Sequence, residues 1–297
     1  MKKKKIRNRT VHKLLTNPLS FIGIVLISFF IVIAVIAPWI TKPEYANRYI
    51  IPRDGYSSTP QPPSVSHPLG TTEGQYDIFY GIVWGTRTAF RIGLLVVAGI
   101  VLIGVTLGAI AGYYGGIVDE IIMRLTDIFL TFPFLVAAMV MVVLLGRGLN
   151  HVMIALVVFG WMGYARMIRG DVLAIKEIDY VAAARALGAS DLRIIFRHVL
   201  PNAIYPVFVM STMDIGSMVL TAAALSFLGL GSQVGYADWG QMISFARNWI
   251  LGTDANPFAY WYTVIYPGLA IVLFVLGWNL VGDAFRDILD PRMRGSR

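Results

Sequence analysis

The stretch IGLLVVAGIVLIGVTLGAIAGY, residues 92–113, decides the fold. It carries no charged residue, and its length matches the roughly 20 apolar residues that a helix needs to cross the hydrocarbon core of a bilayer. Gly104, Gly108 and Gly112 recur every four residues, so they line one narrow face of such a helix and let a second helix approach closely. The stretch therefore predicts a membrane-spanning helix, and its glycines either form a packing face for another helix or reflect the general tolerance of membrane helices for glycine.

Further apolar runs of similar length occur along the chain. Of the 297 residues, 57% are hydrophobic and only 14% are charged, against roughly 25% charged residues in soluble domains. Continuous runs favour helices over the short alternating strands of a barrel. We therefore predict an all-α integral membrane protein with six transmembrane helices. The other five predicted spans are Leu19–Ile40, Ile128–Leu145, His151–Ile168, Ile204–Leu228 and Thr263–Val281.

Lysine and arginine are distributed unevenly between the segments that join these spans. With a cytoplasmic amino terminus, most of the 25 Lys and Arg residues fall in cytoplasmic segments, so we predict that both termini are cytoplasmic. The net charge of +8 then reflects topology and anionic lipid, and it requires no nucleic-acid partner. The predicted organisation is a basic amino terminus (1–18), a first transmembrane helix (19–40), an external proline-rich loop (41–87), a domain of five transmembrane helices (88–283) and a cytoplasmic tail (284–297).

Two external segments differ in character. The loop 41–87 contains six prolines, which disfavour helix and central strand, and too few large apolar residues for a core, so we expect an extended loop. The second segment, Gly229–Tyr262, is rich in aromatic residues, and Trp239–Leu251 suits a short helix on the outer surface. Two interpretations stay open: an interfacial aromatic belt, or a docking face for an external partner that includes Trp239, Gly240 and Trp249.

The segment Tyr180–Asn202 is a polar helix-turn-helix between two predicted spans. Val181–Leu187 is rich in alanine and predicts a helix, and Gly188 supplies a left-handed stop. Ser190 suits the N-cap of a second short helix, which Pro201 is expected to end. The segment is either an ordinary intracellular loop or a compact knob that inserts into a partner.

The spacing in this segment resembles a known motif. Ala182-Ala183-Ala184, three residues, Gly188 and then His198-Val199-Leu200-Pro201 resembles the coupling motif of bacterial ABC importer permeases, although Ala182 stands for the usual Glu and His198 for Ile. The resemblance implies the type I importer permease fold, with a coupling helix at about 178–200 that binds an ATP-hydrolysing subunit. The residues implied in coupling are Ala182, Ala183, Ala184, Arg185, Gly188, Ala189, Leu200 and Pro201.

Other stretches narrow the resemblance to the second, "C"-type permease subunit of oligopeptide and dipeptide importers. The resemblance implies a bacterial or archaeal plasma (inner) membrane, a second homologous permease subunit that completes the pore, two ATP-binding subunits and an extracytoplasmic substrate-binding protein. It places ATP and Mg²⁺ on the partners, and the sequence has no G-x-x-x-x-G-K-[ST] loop. The matching stretches are His67–Thr71, Gly85–Arg87, Tyr113–Gly116, Leu225–Gly231, Trp239-Gly240, Gly282–Ala284 and Asp290–Arg292.

Departures from this pattern leave the cargo open. Thr72 stands where peptide permeases often have Asp, and Ala222 where they often have Glu. Relatives with such changes include oligosaccharide importers, and nickel-importer subunits are also similar. Peptides are the expected cargo, with oligosaccharides and nickel as alternatives. An ion-coupled carrier and a non-transporting scaffold are alternatives from other classes.

Asp214 is the one charge deep within a predicted span, which makes it a candidate for function. It either lines the substrate path or hydrogen-bonds to a neighbouring helix. The four histidines are scattered over termini and loops, so no metal site is predicted, and no catalytic motif is present. We expect no catalytic residue and no cofactor bound by this chain.

Overall fold

The computed structural model describes residues 17–252 and 256–289. The basic amino terminus and the end of the tail, residues 1–16 and 290–297, lie outside the described residues. The described part is helical, with isolated antiparallel bridges in the connecting segments, such as Ile50 with Tyr236. The helices are α1 (Pro18–Ile40), α2 (Ile78–Tyr114), α3 (Gly116–Leu130), α4 (Phe134–Leu145), α5 (Leu149–Gly160), α6 (Met162–Ile175), α7 (Asp179–Ala186), α8 (Asp191–Ile194), α9 (Leu200–Phe227), α10 (Trp239–Phe245) and α11 (Tyr262–Leu289).

Within the described residues, five helical stretches are long and apolar enough to cross a membrane. They are α1, α2, α5 with α6, α8 with α9, and α11, and the bent pair α3 and α4 makes a sixth if it is counted as one span. The prediction of a helical membrane protein is confirmed. The last predicted span was too short, because α11 continues to Leu289 and takes in the start of the predicted tail.

The predicted continuous span Ile128–Leu145 is wrong. Helix α3 ends at Leu130, α4 begins at Phe134, and the two axes differ by 88°. Pro133 explains the break, because it has no N–H to donate and its ring pushes Phe132 away from helical geometry. Helices α3 and α4 therefore form a sharply bent pair rather than one straight helix.

The boundary between the external loop and the second span was also predicted wrongly. Helix α2 begins at Ile78, before the predicted end of the loop at residue 87 and the predicted start of the span at Ile92, and it runs for 37 residues. The Asp77 side chain caps it by accepting a hydrogen bond from the Tyr80 N–H at 2.7 Å. Arg87 and Arg91 interrupt the apolar run in the sequence, but the Arg87 guanidinium lies over the Trp84 ring and donates to the Ala34 carbonyl. These contacts accommodate the charge of Arg87, and the helix continues through it.

The proline-rich loop packs onto the helices instead of extending into solvent. Ile51 is completely buried beside α2, and Tyr76 stacks on Phe245 of α10 with ring centroids 5.3 Å apart. Residues 41–77 form neither a helix nor a strand, as predicted, but the expectation that they contribute no core residue is corrected. Ile51 and Tyr76 join the core formed by α2 and α10.

The glycine face of α2 is confirmed as a helix-packing surface. A Cβ atom on Gly104 would lie 2.5 Å from the Tyr164 Cβ, and one on Gly108 would lie 2.4 Å from the Ala165 carbonyl oxygen. Gly112 meets the backbone of Arg169 in the same way. Helix α6 therefore lies directly on the backbone of α2, at a separation that only glycine permits.

Gly108→Ala should destabilise the protein by about 1–3 kcal/mol, because its methyl group would overlap the α6 backbone. Gly170→Ala is the matched control, since Gly170 lies on α6 with no neighbouring atom within 4 Å of an added Cβ. The control should leave stability unchanged or raise it. Thermal unfolding of the detergent-solubilised protein measures both, and equal unfolding temperatures for the two variants would contradict the packing argument.

Candidate functional site

The knob, defined as α7, the turn at Gly188 and α8, closes with a specific helix stop. Gly188 adopts φ +79°, the Gly188 N–H donates to the Arg185 carbonyl at 3.0 Å, and the Ala189 N–H donates to the Ala184 carbonyl at 3.1 Å. These two bonds satisfy the last carbonyls of α7. The predicted first helix and left-handed glycine stop are confirmed.

The second arm of the knob differs from the prediction. Ser190 sits at the N-cap position of α8, but its side chain makes no capping hydrogen bond. Pro201 does not end the helix, because a π-helical segment, Ile195–Val199, joins α8 to α9. The Leu200 N–H donates to the Ile195 carbonyl, five residues back, and Pro201 falls in the first turn of α9, where no N–H is needed. The arm is therefore a continuation of the fifth span.

Tyr113, at the end of α2, holds the two arms of the knob. Its hydroxyl donates to Asp191 Oδ1 at 2.6 Å, and the Arg185 guanidinium lies 5.8 Å from the centre of its ring. Lys176 adds a hydrogen bond from Nζ to the Gly112 carbonyl at 2.9 Å. The knob is therefore held against the glycine-lined end of α2, and the guanidinium of Arg185 contacts the Tyr113 ring of the same chain.

Three large apolar side chains are exposed on the knob and on the π segment that follows it. Leu187, Leu192 and Phe196 are 89%, 64% and 68% exposed, and we call these three residues the knob patch. The sequence reasoning missed them, although Leu192 and Phe196 are spaced by four residues, as one helix face requires. The residues predicted to take part in coupling surround the patch: Ala182, Ala183, Arg185, Gly188 and Pro201 are exposed, and Ala184, Ala189 and Leu200 are partly buried.

Asp214 lies on α9 and is partly buried. Tyr164 of α6, itself buried, donates its hydroxyl hydrogen to Asp214 Oδ2 at 2.6 Å. Asp214 therefore has the partner on a neighbouring helix that one of its two predicted roles requires. A role in the substrate path stays a prediction.

Two of the three predicted docking residues are buried. Trp239 is 3% exposed between Phe30 and Phe274, and its Nε1 donates to the Ile82 carbonyl at 3.2 Å. Gly240 lies so close to Ala223 that an added Cβ would be 2.2 Å from its carbonyl oxygen. Neither residue can form an outer docking face, and this prediction is corrected. The predicted surface helix is shorter too, because α10 ends at Phe245 and packs between α9 and α11.

Trp249 has a different environment from Trp239. It is half-buried, and its Nε1 donates to Glu73 Oε2 at 2.8 Å, which joins the second external segment to the proline-rich loop. Its predicted docking role stays a prediction.

Asp238 organises the chain just before α10. Its carboxylate accepts hydrogen bonds from Ser226 Oγ at 2.6 Å, from Ser232 Oγ at 3.1 Å and from the Gly240 N–H at 2.9 Å. Burial raises the pKa of Asp238, and these donors act in the opposite direction. The carboxylate is a structural centre that fixes the connection from α9 to α10.

His67 fastens the proline-rich loop to the start of α2. Its Nδ1 is 2.6 Å from Asp77 Oδ2, and its Nε2 is 3.1 Å from Asp54 Oδ2. Burial alone would lower the pKa of His67, but the hydrogen bonds and negative charges of Asp77 and Asp54 outweigh it, so the pKa is raised above 6.5. Protonated His67 therefore links the helix cap to the loop.

The contribution of His67 to stability should depend on pH. Because its pKa is higher in the folded state, the stabilisation is fully present below pH 6.5 and is lost as the pH rises through the raised value. The difference in unfolding temperature between the wild type and His67→Gln should thus be largest in acid and shrink toward alkaline pH. Asp54→Asn, which keeps the shorter contact to Asp77, should lose less, and a difference that does not vary with pH would contradict this account.

Tyr113→Phe should loosen the knob by about 1 kcal/mol, because it removes the hydroxyl that bonds to Asp191 and keeps the ring beneath Arg185. Amide hydrogen exchange should accelerate in α7 and α8 and stay unchanged in α5. Tyr114→Phe is the matched control, since Tyr114 is exposed and its hydroxyl makes no hydrogen bond within the described residues. Unchanged exchange in α7 and α8 of Tyr113→Phe would rule out the brace.

No group of three or more His, Asp or Glu residues that could hold a metal ion occurs within residues 17–252 and 256–289.

Comparison with known proteins agrees with this architecture. The structure resembles the MetNI methionine ABC transporter in inward-facing conformations, with a TM-score of 0.53 at 20% identity over 72% of this chain and 98% of that chain. This likeness shows the fold, which is that of a type I ABC importer permease, as the sequence predicted.

Sequence relatives are closer. The chain is 40% identical to the dipeptide transport system permease protein DppC of Alkalihalophilus pseudofirmus, over 94% of this chain and 87% of the relative. It is 39% identical to the glutathione transport system permease protein GsiD of Pectobacterium atrosepticum, over 83% and 81%. It is 35% identical to the oligopeptide transport system permease protein OppC of Bacillus subtilis, over 94% and 87%.

Two family matches cover most of the chain. Residues 8–63 match the N-terminal TM domain of oligopeptide transport permease C. Residues 104–295 match the binding-protein-dependent transport system inner membrane component, and the protein is therefore a multi-pass membrane permease that belongs to this family.

Proposed function

We propose that this chain is one of two permease subunits in an ATP-driven peptide importer. It forms half of the pore with a second homologous permease subunit, its termini and knob are cytoplasmic, and the knob binds one of two ATP-binding subunits. ATP and Mg²⁺ are held by those subunits, and an external binding protein delivers the cargo.

The observation that carries this proposal is the knob patch. Three large apolar side chains are exposed on a segment that is otherwise braced by hydrogen bonds, and exposed apolar clusters on an ordered surface are typical of protein interfaces. Two residues of the patch, Leu192 and Phe196, lie on the segment that runs from α8 through the π segment into a membrane span. A partner that binds the knob is therefore connected to α9 through continuous helical backbone.

Relatives support peptides as the cargo. The relatives are named for dipeptide, oligopeptide and glutathione transport, and each of these cargoes is a peptide. The two sequence departures that suggested other cargo are both buried: Thr72 lies inside the proline-rich loop and Ala222 inside the helix bundle. Because both side chains are buried within the chain, they give no reason to prefer oligosaccharides or nickel.

The test is a charge placed in the knob patch. Leu187→Asp should abolish most ATP-dependent uptake of a labelled tripeptide by the reconstituted importer, because a carboxylate would be buried against the ATP-binding subunit. Val65→Asp is the matched control, since Val65 is fully exposed in the external loop. Co-purification of the ATP-binding subunits should fall for Leu187→Asp and stay normal for Val65→Asp.

Uptake that persists in Leu187→Asp would contradict coupling through the knob. Uptake by the chain alone, without ATP and driven by an ion gradient, would instead identify a secondary carrier. Partner binding without transport of any solute would identify a scaffold.

A further inference from the structure

A cleft of about 600 Å³ opens at the end of the molecule away from the knob. It lies between Arg91 of α2, the turn from α4 to α5 and the connection from α9 to α10. Arg91 and Tyr113 are 22 residues apart on the same helix, which corresponds to about 33 Å at 1.5 Å per residue. That distance matches the hydrocarbon thickness of a bilayer, so a cytoplasmic knob places the cleft at the external surface.

The charges that line the cleft are of one sign. Arg91 and Arg147 contribute to its wall, and no Asp or Glu does. The nearby carboxylate of Asp238 is buried behind the wall and is occupied by the hydroxyl groups of Ser226 and Ser232. Positive side chains in a concave site without a neighbouring carboxylate attract anions.

Both arginines are available to a ligand. Arg91 Nη2 donates to Asn150 Oδ1 at 2.8 Å, which fixes the guanidinium at the cleft wall without neutralising it. Arg147 is exposed and pairs with no acid among the described residues. A guanidinium group binds a carboxylate with two parallel hydrogen bonds, which favours planar anions over spherical ones.

The turn from α4 to α5 adds further positive polarity to the cleft wall. His151 Nδ1 donates to the Gly146 carbonyl at 2.7 Å, and the Gly148 N–H donates to the Leu230 carbonyl at 3.2 Å, so the turn is held in place. Helix α5 starts in this wall, and no side chain caps its first turn. The partial positive charge of that helix end adds to the two guanidinium groups.

We propose that this cleft is a subsite for the terminal carboxylate of the peptide, which Arg91 and Arg147 bind as the cargo enters the permease. The inference rests on the proposed function, because it takes the cargo to be a peptide. The cleft volume falls within the range of small-molecule sites, and it accommodates a dipeptide or a tripeptide. A site formed by two arginines and a helix end binds the charge of the terminal carboxylate and not the side chains of the peptide. The subsite therefore accepts peptides of many sequences.

The test measures peptide binding to the complex of permease and ATP-binding subunits in lipid nanodiscs, without the binding protein. Trialanine should bind, and trialanine amide, which lacks the carboxylate, should bind at least about tenfold more weakly. Arg91→Gln combined with Arg147→Gln should weaken trialanine binding about tenfold and leave the amide unchanged. Arg91→Lys with Arg147→Lys should bind trialanine more tightly than the double Gln variant but more weakly than the wild type, because the charge remains and the paired hydrogen bonds are lost.

Arg48→Gln is the matched control. Arg48 is an exposed arginine of the first external loop outside the cleft, so its removal tests the loss of a single positive charge elsewhere on this surface and should not change binding. Trialanine affinity that is unaffected by the double Gln substitution, or equal affinities for the acid and the amide, would overturn the proposal. Weaker capture of the binding protein by the double variant, with unchanged trialanine binding, would also overturn it and would assign the arginines to docking.

Uptake separates this inference from the proposed function. If the complete wild-type importer hydrolyses ATP but does not accumulate tripeptide, the proposed cargo is wrong. The binding comparison between trialanine and its amide still decides whether the cleft is a carboxylate site.

Discussion

The contact between α2 and α6 is the constraint on which the rest of the molecule depends. Lipid offers no hydrophobic driving force between helices, so association requires close packing and interhelical hydrogen bonds. Gly104, Gly108 and Gly112 allow α6 to lie on the α2 backbone, and Arg169 of α6 then pairs with Asp119 of α3 through two hydrogen bonds. The turn from α2 into α3 is thereby fixed at the end of the helix that also braces the knob.

The two ends of α2 are held by different contacts. At one end, α2 starts with the Asp77 cap and is fastened to the proline-rich loop through His67. At the other, Tyr113 connects α2 to both arms of the knob. Since α8 continues through the π segment into α9, a force on the knob acts on two membrane helices together, one through a hydrogen bond and one through continuous backbone.

The sequence was sufficient for those features that depend on local chemistry. Apolar length identified five of the six predicted spans, the four-residue glycine spacing identified the α2 face, and Gly188 identified the stop in the knob. It was insufficient where the outcome depends on distant neighbours. Arg87 was assigned to the loop before the second span, but its contacts with Trp84 and Ala34 place it inside α2. Trp239 was assigned to a surface helix, but Phe30 and Phe274 enclose it. Pro133 and Pro201 show the same limit. Pro133 separates two helices, whereas Pro201 follows a π segment and lies within a helical stretch that continues.

The brace at Tyr113 makes the knob a discontinuous epitope. Its outer surface comes from residues near 187–196, but its shape depends on a ring and a hydroxyl contributed from 78 residues earlier in the chain. A synthetic peptide copied from the knob alone lacks that support, and short isolated helices are only marginally stable in water. Inhibitors that imitate this surface must therefore be constrained by other means, and antibodies raised against the linear segment will recognise a different shape from the one on the folded protein.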